Sequence, residues 1–288
     1  MRRILVLRGG ALGDLLVTLP ALALLRQKWP DTQIDFVGNA TAAVLARKVG
    51  LINGIESQHT APWHQLYGGE LAADFRKRLA GYDLVISFWP DSDGDLHRLF
   101  PLREGQRFIA ESAAPCTKPA SRHFSAIVSN LTGLSAKDWI ALATPVPAEV
   151  VAIHPGSGSP RKNWPMERWI TIAGWLRDTT RLRPVFILGE AEADRAVFAG
   201  FESWRDLPLQ ALAQRLSRCR LFLGHDTGVS HLAAACAQAG LLLFGPTDPA
   251  IWAPPNPHFH VLQQGETLDA ISVNDVSAKI SAMLADRT

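Results

Sequence analysis

The chain has 288 residues, of which 47% are hydrophobic and 19% charged, and its formal net charge at pH 7 is +2. This composition is typical of a globular protein with a sizeable core, in one large or two medium domains. A charge so close to zero gives no support to nucleic acid as the main partner. The first half carries a slight positive excess, which favours an anionic partner there.

The three cysteines, Cys116, Cys219 and Cys236, are far apart and lack metal-ligand spacing. Such sparse usage favours a reducing compartment. The first apolar run is too short for a signal peptide, and no uninterrupted run of about 18 apolar residues could span a bilayer. We therefore expect a cytoplasmic protein.

The first apolar run, Ile4–Leu7, predicts a buried parallel strand, and a helical pattern follows over Leu15–Lys28. The glycine-rich loop between them is a poor dinucleotide fingerprint, because Arg8 stands where glycine is required. An NAD-dependent dehydrogenase is therefore a distant alternative. Asp14 ends this loop beside the first strand, where open α/β sheets gather their ligands. It is a candidate general base, unless it only stabilises the first turn of the helix.

Strands and helices then alternate along both halves of the chain, which predicts an α/β protein with doubly wound parallel sheets. Further strands are predicted at Gln33–Val37, Ile52–Glu56, Leu84–Phe88, Val150–His154, Val185–Leu188, Arg220–Leu223 and Leu241–Phe244, and further helices at Thr41–Lys48, Gly69–Leu79, Met166–Asp178, Ala191–Ala199, Pro208–Ser217 and Ile271–Leu284. The Pro- and Ala-rich segment Ala141–Val150 predicts a linker. The expected domains are therefore residues 1–145 and 150–288.

Two charged segments of the first half have ambiguous roles. Asp91, Asp93 and Asp95 form an acidic turn that partly matches metal-binding patterns, but the glycine and glutamate of a calcium loop are missing. We favour a solvated turn over a metal site. The basic run Arg76–Arg78 predicts a solvated helix face or, in a cleft, a contact with an anionic acceptor.

A loop of small and basic residues follows the strand Val150–His154. Ser157 lies in it, and Arg161 and Lys162 precede the next predicted helix. Such a loop is well suited to a diphosphate, although Arg161 stands where a P-loop requires glycine. The alternative is a plain basic surface loop.

The segment Leu223–Ala239 predicts a strand end, a polar turn and a helix that opens at about Val229. Unpaired amides and the helix dipole make such a turn a candidate phosphate site. Thr227 adds a hydroxyl, and Gly228 allows close approach to the backbone. His231 lies on the same helical face. The alternative is that Asp226 or Thr227 only caps the helix and His231 is an ordinary boundary histidine.

A third candidate contact follows the strand Val185–Leu188. Glu192, or less favourably Glu190, places a carboxylate where it could bind the hydroxyls of a ribose. The alternative is an acid in the first turn of the following helix.

Four motifs stand in order along the chain: GDLLVTLPAL at 13–22, HPGSGSPRKNWPMERW at 154–169, GHDTGVSHLAAA at 224–235 and FGPTDP at 244–249. Together they resemble glycosyltransferase family 9, the ADP-heptose:lipopolysaccharide heptosyltransferases. The resemblance implies the GT-B fold, two Rossmann-like doubly wound domains facing across a cleft. Residues 1–145 would bind the acceptor and residues 150–288 the nucleotide sugar, and the last helix could pack back on the first domain. It also implies an inverting transfer from a nucleotide sugar, ADP-heptose, without a required metal or other cofactor.

By this resemblance Asp14 is the general base, Lys162 binds the diphosphate and Asp226 contacts the donor sugar. The candidate donor contacts are Lys162, Glu192, Asp226, Thr227, Gly228, His231 and Ser157, and the candidate acceptor contacts are Gly10, Gly13, Arg76 and Arg78. The implied acceptor is an anionic glycolipid or glycan, an inner-core lipopolysaccharide sugar, reached by peripheral contact with the inner membrane. Two other classes stay open, a nucleotide-sugar epimerase of similar architecture and a non-catalytic sugar-nucleotide-binding module.

Overall fold

A computed structural model describes residues 1–189 and 198–285 of the chain. The chain divides into two compact units, Met1–Ile140 and Ala141–Thr288. The division falls at the first residue of the predicted linker. Each unit is built on its own parallel β-sheet.

The first unit has a five-stranded sheet in the order β3-β2-β1-β4-β5. Its elements are β1 (Arg3–Arg8), α1 (Leu12–Lys28), β2 (Gln33–Gly38), α2 (Ala40–Lys48), β3 (Gly54–Ser57), a 3-10 turn (Trp63–Tyr67), α3 (Ala73–Leu79), β4 (Leu84–Ser87), α4 (Asp95–Leu99), β5 (Arg107–Ala110) and α5 (Ala120–Thr132). The strand β1 is central because its apolar run is fully buried. The helices α1 and α5 pack against each other.

The second unit has a six-stranded sheet in the order β11-β10-β9-β6-β7-β8. Its elements are β6 (Ala148–Ile153), a 3-10 turn (Pro160–Lys162), α6 (Met166–Thr179), β7 (Arg183–Leu188), β8 (Glu202–Arg205), α7 (Leu209–Leu216), β9 (Cys219–His225), α8 (Gly228–Ala234), β10 (Gly240–Phe244), α9 (Pro249–Trp252), β11 (Phe259–Gln263), a 3-10 turn (Leu268–Ala270) and α10 (Val273–Ala285). The final helix α10 packs on α6 and places Val276, Ile280 and Met283 in the core of this unit.

Both sheets have the strand order of a Rossmann fold, with the first strand of each unit at the centre. The order reverses between β1 and β4 in the first unit and between β6 and β9 in the second. Ligands of open α/β sheets bind outside the carboxyl ends of the strands at such a reversal. We therefore expect a ligand site in the loops after these four strands. The predicted α/β class with doubly wound sheets is confirmed.

One local difference from the sequence-based expectation affects a candidate residue. The helix α1 begins at Leu12 rather than Leu15, so Asp14 lies inside its first turn. Helix ends are set by local hydrogen bonds, which apolar periodicity does not specify.

All three cysteines have free thiols, of which Cys116 is exposed and the other two are buried. Across residues 1–189 and 198–285, none of the helices combines the length and the apolar composition that crossing a bilayer would need.

Candidate functional site

In the first unit, the Asp14 carboxylate is held by two donors, one from the last residue of β1 and one from the loop that follows it. One oxygen accepts a hydrogen bond from the Arg8 guanidinium, with 2.7 Å between Nη2 and Oδ1. The other accepts the backbone N–H of Ala11 at 2.8 Å. The Arg8 side chain is buried, whereas a third of the Asp14 side chain is exposed. Since a carboxylate has about four lone-pair positions, Asp14 can still accept a hydrogen bond from a ligand.

The side chain of Arg8 is packed as well as paired. Its guanidinium carbon lies 4.3 Å from the centre of the Phe124 ring on α5. Burial lowers the pKa of Arg8 below its usual value, and the negative charge of Asp14 partly offsets that effect. The guanidinium is thus a fixed cation that orients Asp14.

Gly10 has a positive φ of 100°. A Cβ atom there would lie 2.3 Å from Oδ2 of Asp14, well inside contact distance. Only glycine therefore fits the backbone turn and the carboxylate together. Gly13 lies in the same first turn of α1.

A cavity of about 440 Å³ opens beside this loop, within the first unit. Gly9 and Gly10 form one part of its wall, and three aromatic rings, Trp63, Tyr67 and Trp89, line it as well. Its volume lies within the ~300–1,000 Å³ range of small-ligand sites. The cavity is therefore a candidate ligand site adjacent to Asp14.

The acidic turn after β4 has a structural role. Both carboxylate oxygens of Asp91 accept backbone N–H groups at the start of α4, from Leu96 and His97. Asp93 accepts the N–H of Asp95, and Asp95 pairs with Arg98. Within the described ranges, no group of three or more His, Cys, Asp or Glu side chains is arranged to hold a metal ion.

The two candidate arginines of α3 do not line the cavity. Arg76 is exposed. Arg78 pairs with Glu56 and lies over the Trp63 ring, with its guanidinium carbon 5.2 Å from the ring centre. Glu56 also accepts the indole N–H of Trp63 at 2.9 Å. Arg78 thus packs on a ring that lines the cavity.

In the second unit, Trp164 fixes the loop after β6 to the end of β9. Its backbone N–H donates to Nε2 of His225 at 2.9 Å. Its indole N–H donates to the carbonyl of Ile271 at 2.9 Å, and the ring packs edge-on against Trp169. The loop cannot leave β9 without breaking these buried contacts.

This anchoring brings together two candidate residues that are 64 positions apart in sequence. Nζ of Lys162 lies 2.7 Å from Oδ2 of Asp226. The Asp226 side chain is largely buried, and that of Lys162 is a third exposed. A lysine ammonium has three donors, so Lys162 can bind an anion while it keeps Asp226.

Thr227 is the N-cap of α8, since its hydroxyl accepts the Ser230 N–H at 3.2 Å. Gly228 is the first residue of that helix, and His231 lies one turn later, half-buried.

Ser157 organises its own loop, because its hydroxyl lies 2.6 Å from Oδ1 of Asn163 and 2.7 Å from the carbonyl of Ser159. Lys162, Asp226, Thr227 and Gly228 are therefore gathered at the reversal point of the second sheet. The remaining donor candidates, Glu190 and Glu192, lie outside the described residues.

Two buried histidines lie beneath this cluster. His154 follows β6, and its Nδ1 is 3.5 Å from the hydroxyl of Thr227. Burial lowers the pKa of His154 to about 4. Burial, with a smaller effect from His154, lowers the pKa of His225 to about 3. Both rings are therefore neutral at pH 7.

Sequence reasoning missed three features of these sites: the pairing of Arg8 with Asp14, the aromatic cavity and the histidine pair. Arg8 was considered only as a departure from a glycine fingerprint. A signal for the cavity was available, because Trp89 lies two residues after β4, the strand that pairs with β1 at the reversal point.

Two Rossmann-like units, each with a polar cluster at its reversal point, are the architecture of the GT-B fold, which the similar solved structures share, and the predicted fold class is confirmed. The family model described as glycosyltransferase family 9 (heptosyltransferase) matches residues 116–276. The chain belongs to glycosyltransferase family 9, as the four sequence motifs predicted.

Three proteins illustrate the similarity. Lipopolysaccharide heptosyltransferase 1 of Pseudomonas aeruginosa is 28% identical over an alignment of 292 positions, which covers 86% of this chain and 79% of that protein. The crystal structure of the glycosyl transferase family 9 from Veillonella parvula has a TM-score of 0.80 at 19% identity, covering 99% of this chain and 98% of that one. The E. coli heptosyltransferase WaaC with ADP has a TM-score of 0.76 at 22% identity, covering 98% of this chain and 99% of that one. WaaC has also been solved with ADP-2-deoxy-2-fluoro heptose.

Proposed function

We propose that this protein transfers a heptose from ADP-heptose to a sugar of a lipopolysaccharide-core or related glycan, with inversion at the anomeric carbon. The observation that carries the proposal is the ion pair of Lys162 with Asp226 at the reversal point of the second sheet. It supplies one cation for a diphosphate and, beside it, one carboxylate for a sugar hydroxyl. Two findings support ADP-heptose as the donor. A curated relative is a lipopolysaccharide heptosyltransferase, and similar solved structures contain ADP or an ADP-heptose analogue.

The second unit binds the donor. Lys162 and the backbone amides of Thr227 and Gly228 bind the diphosphate, and Asp226 accepts hydroxyls of the heptose. Ser157 holds the loop in shape, His231 contributes from α8, and Glu192 binds the ribose. Lys162 contributes positive charge at the diphosphate, and we expect donor binding without a divalent metal, as the family resemblance implies.

The first unit binds the acceptor and supplies the base. An acceptor hydroxyl attacks the anomeric carbon while Asp14 takes its proton, and the bond from that carbon to the β-phosphate oxygen breaks. The departing ADP keeps the electron pair, and Lys162 with the Thr227–Gly228 amides stabilises the developing charge. One displacement inverts the anomeric centre. The acceptor is carried on a glycolipid, which the protein reaches by peripheral contact with the inner membrane.

The test is a transfer assay with ADP-heptose and lipopolysaccharide-core acceptors, in which ADP release and the linked product are both measured. The wild-type chain should form product with inverted anomeric configuration, in the presence of EDTA as well as without it. Asp14→Asn should lower kcat by about 10²–10⁴-fold, the usual contribution of a general base, and should leave the affinity for ADP unchanged. Unaltered kcat in Asp14→Asn would remove this residue from the role.

A second experiment, without acceptor, separates transfer from epimerisation. When the donor is incubated without acceptor and followed by NMR, a transferase leaves the heptose configuration intact. Isomerised ADP-sugar would indicate an epimerase. Binding of ADP with no turnover of donor even when acceptor is present would indicate a non-catalytic module.

A further inference from the structure

Cys116 and His123 form a side-chain pair in the first unit that the proposed transfer does not use. Cys116 belongs to the loop between β5 and α5, and His123 lies in the first turn of α5. The distance between Sγ of Cys116 and Nδ1 of His123 is 3.4 Å, which is within hydrogen-bond range for sulfur. Cys116 is exposed, whereas His123 is only 3% exposed. The pair therefore combines an accessible sulfur with a buried imidazole.

A backbone carbonyl fixes the tautomer of this imidazole. Nε2 of His123 lies 2.9 Å from the carbonyl oxygen of Ser112. Because a carbonyl can only accept a hydrogen bond, Nε2 carries a proton, and in the neutral ring Nδ1 is then the acceptor. The thiol of Cys116 is the donor that meets this acceptor. A base that takes the thiol proton requires this same tautomer.

The imidazole is also held in place by its surroundings. Its ring meets the fully buried Phe124 ring edge-on, with 4.9 Å between ring centres. Ser112 is fixed in its own turn, because its hydroxyl donates to the carbonyl of Ala114 at 2.9 Å and accepts the N–H of Ala114 at 3.1 Å. A nucleophile, a base within reach and a third group that orients the base are the arrangement that activates a cysteine.

Four charged side chains belong to this loop or pair with it. The carboxylate of Glu111 accepts the backbone N–H of Ser112 at 2.7 Å. Lys118 follows Cys116 by two residues in sequence. Arg122 makes two hydrogen bonds to Asp138, of 2.7 and 2.6 Å, so its positive charge is matched. The imidazole is the group in hydrogen-bond contact with the sulfur, and we assign the activation of the thiol to it.

From this geometry we propose that Cys116 is a thiol-modification site, at which the sulfur forms a mixed disulfide with a low-molecular-weight disulfide while His123 takes the thiol proton. The sulfur of Cys116 attacks one sulfur of the incoming disulfide, so a new S–S bond forms and the original one breaks. The leaving half departs as a thiolate and takes up the proton. Cys116 is oxidised, and half of the disulfide is reduced to a thiol.

The experiment treats the reduced full chain with glutathione disulfide at pH 7 and follows the adduct by intact-mass spectrometry. One adduct per chain should form, and Cys116→Ser should abolish it, because Cys219 and Cys236 are buried. An ordinary cysteine is only a few per cent thiolate at this pH, so a base that takes the proton should raise the rate by about tenfold. The reference is a reduced peptide of residues 112–120, which lacks the imidazole.

His123→Gln separates the base from a merely structural role. Glutamine keeps a donor for the Ser112 carbonyl but has no basic nitrogen. The variant should react about tenfold more slowly than the wild-type chain and close to the peptide rate. A loosened loop would instead expose the sulfur further and would not slow the reaction. His97→Gln, which changes an exposed histidine of the same unit, is the control and should keep the wild-type rate.

Three results would each overturn the proposal: a wild-type rate no faster than that of the peptide, an unchanged rate in folded His123→Gln, or an adduct that survives Cys116→Ser. The comparison of the wild-type chain with the peptide needs no variant, so it decides the matter even if His123→Gln does not fold. None of these readouts depends on ADP-heptose or on transfer, and the proposed function is therefore tested separately.

Discussion

Arg8 and Asp14 form an ion pair at 2.7 Å in which the cation is buried and the carboxylate is one-third exposed. This asymmetry matters for a base, because the solvent-facing partner is the one that must meet a substrate. The buried partner is fixed by the Phe124 ring and cannot follow the carboxylate outward. Asp14 is therefore held in one orientation by a group that does not itself reach the surface.

Arg8→Met should reduce kcat by about 10²-fold, because a carboxylate displaced by roughly 1 Å loses much of its catalytic effect. Methionine can pack on Phe124 but leaves Asp14 without its charged partner. Steady-state kinetics should show the loss in kcat with the KM for ADP-heptose little changed, since Arg8 lies in the first unit. A merely structural role would instead lower the melting temperature and the fraction of active enzyme without changing kcat per active site.

Gly10→Ala should lower kcat through the same carboxylate. The new methyl group would meet Oδ2 of Asp14 at 2.3 Å in a backbone conformation that already disfavours side chains. Gly50→Ala is the matched control, because Gly50 also has a positive φ, of 76°, but has open space where the Cβ would be. Both variants should lose stability, by about 1–2 kcal/mol from backbone strain. Only Gly10→Ala should lose activity as well, and equal kcat in the two would show that Gly10 does not constrain Asp14.

Lys162→Ala should weaken ADP binding by about 10–100-fold, the range of a lost hydrogen bond to a charged group. The removal also leaves Asp226 as an unpaired carboxylate next to the diphosphate. The double variant Lys162→Ala/Asp226→Asn should therefore recover part of the lost affinity, a coupling that calorimetry on the full cycle can measure. Arg161→Ala, the exposed neighbour in the same 3-10 turn, is the control. Equal ADP affinity in Lys162→Ala and Arg161→Ala would exclude Lys162 from the diphosphate site.

Interior strands could be predicted because buried parallel strands are continuous apolar runs, as in Ile4–Leu7 and Leu241–Phe244. The edge and outer strands β5, β8 and β11 were not predicted, since they are short and only partly buried. The helix α5 was also missed, although Ala120, Phe124 and Val128 recur at helical spacing on its buried face. The proximity of Lys162 and Asp226 depends on the Trp164–His225 hydrogen bond, and no local pattern specifies a contact over 61 residues.

The lowered pKa values of the two buried histidines predict how the free energy of unfolding depends on pH. The pKa values of His154 and His225 fall to about 4 and about 3 in the folded chain, below the usual value of 6.5. Between pH 6.5 and those values the two histidines bind more protons in the unfolded state than in the folded state. Their contribution to the free energy of unfolding is therefore complete above pH 6.5 and is lost as the pH drops toward 4. At about 1.4 kcal/mol for each pKa unit, His154 alone accounts for roughly 3 kcal/mol of this loss. Thermal unfolding between pH 7 and 4 should show a shallower slope for His225→Asn, which keeps an acceptor for the Trp164 N–H. The exposed His258→Gln should keep the wild-type slope, and a His225→Asn slope equal to it would contradict the assignment.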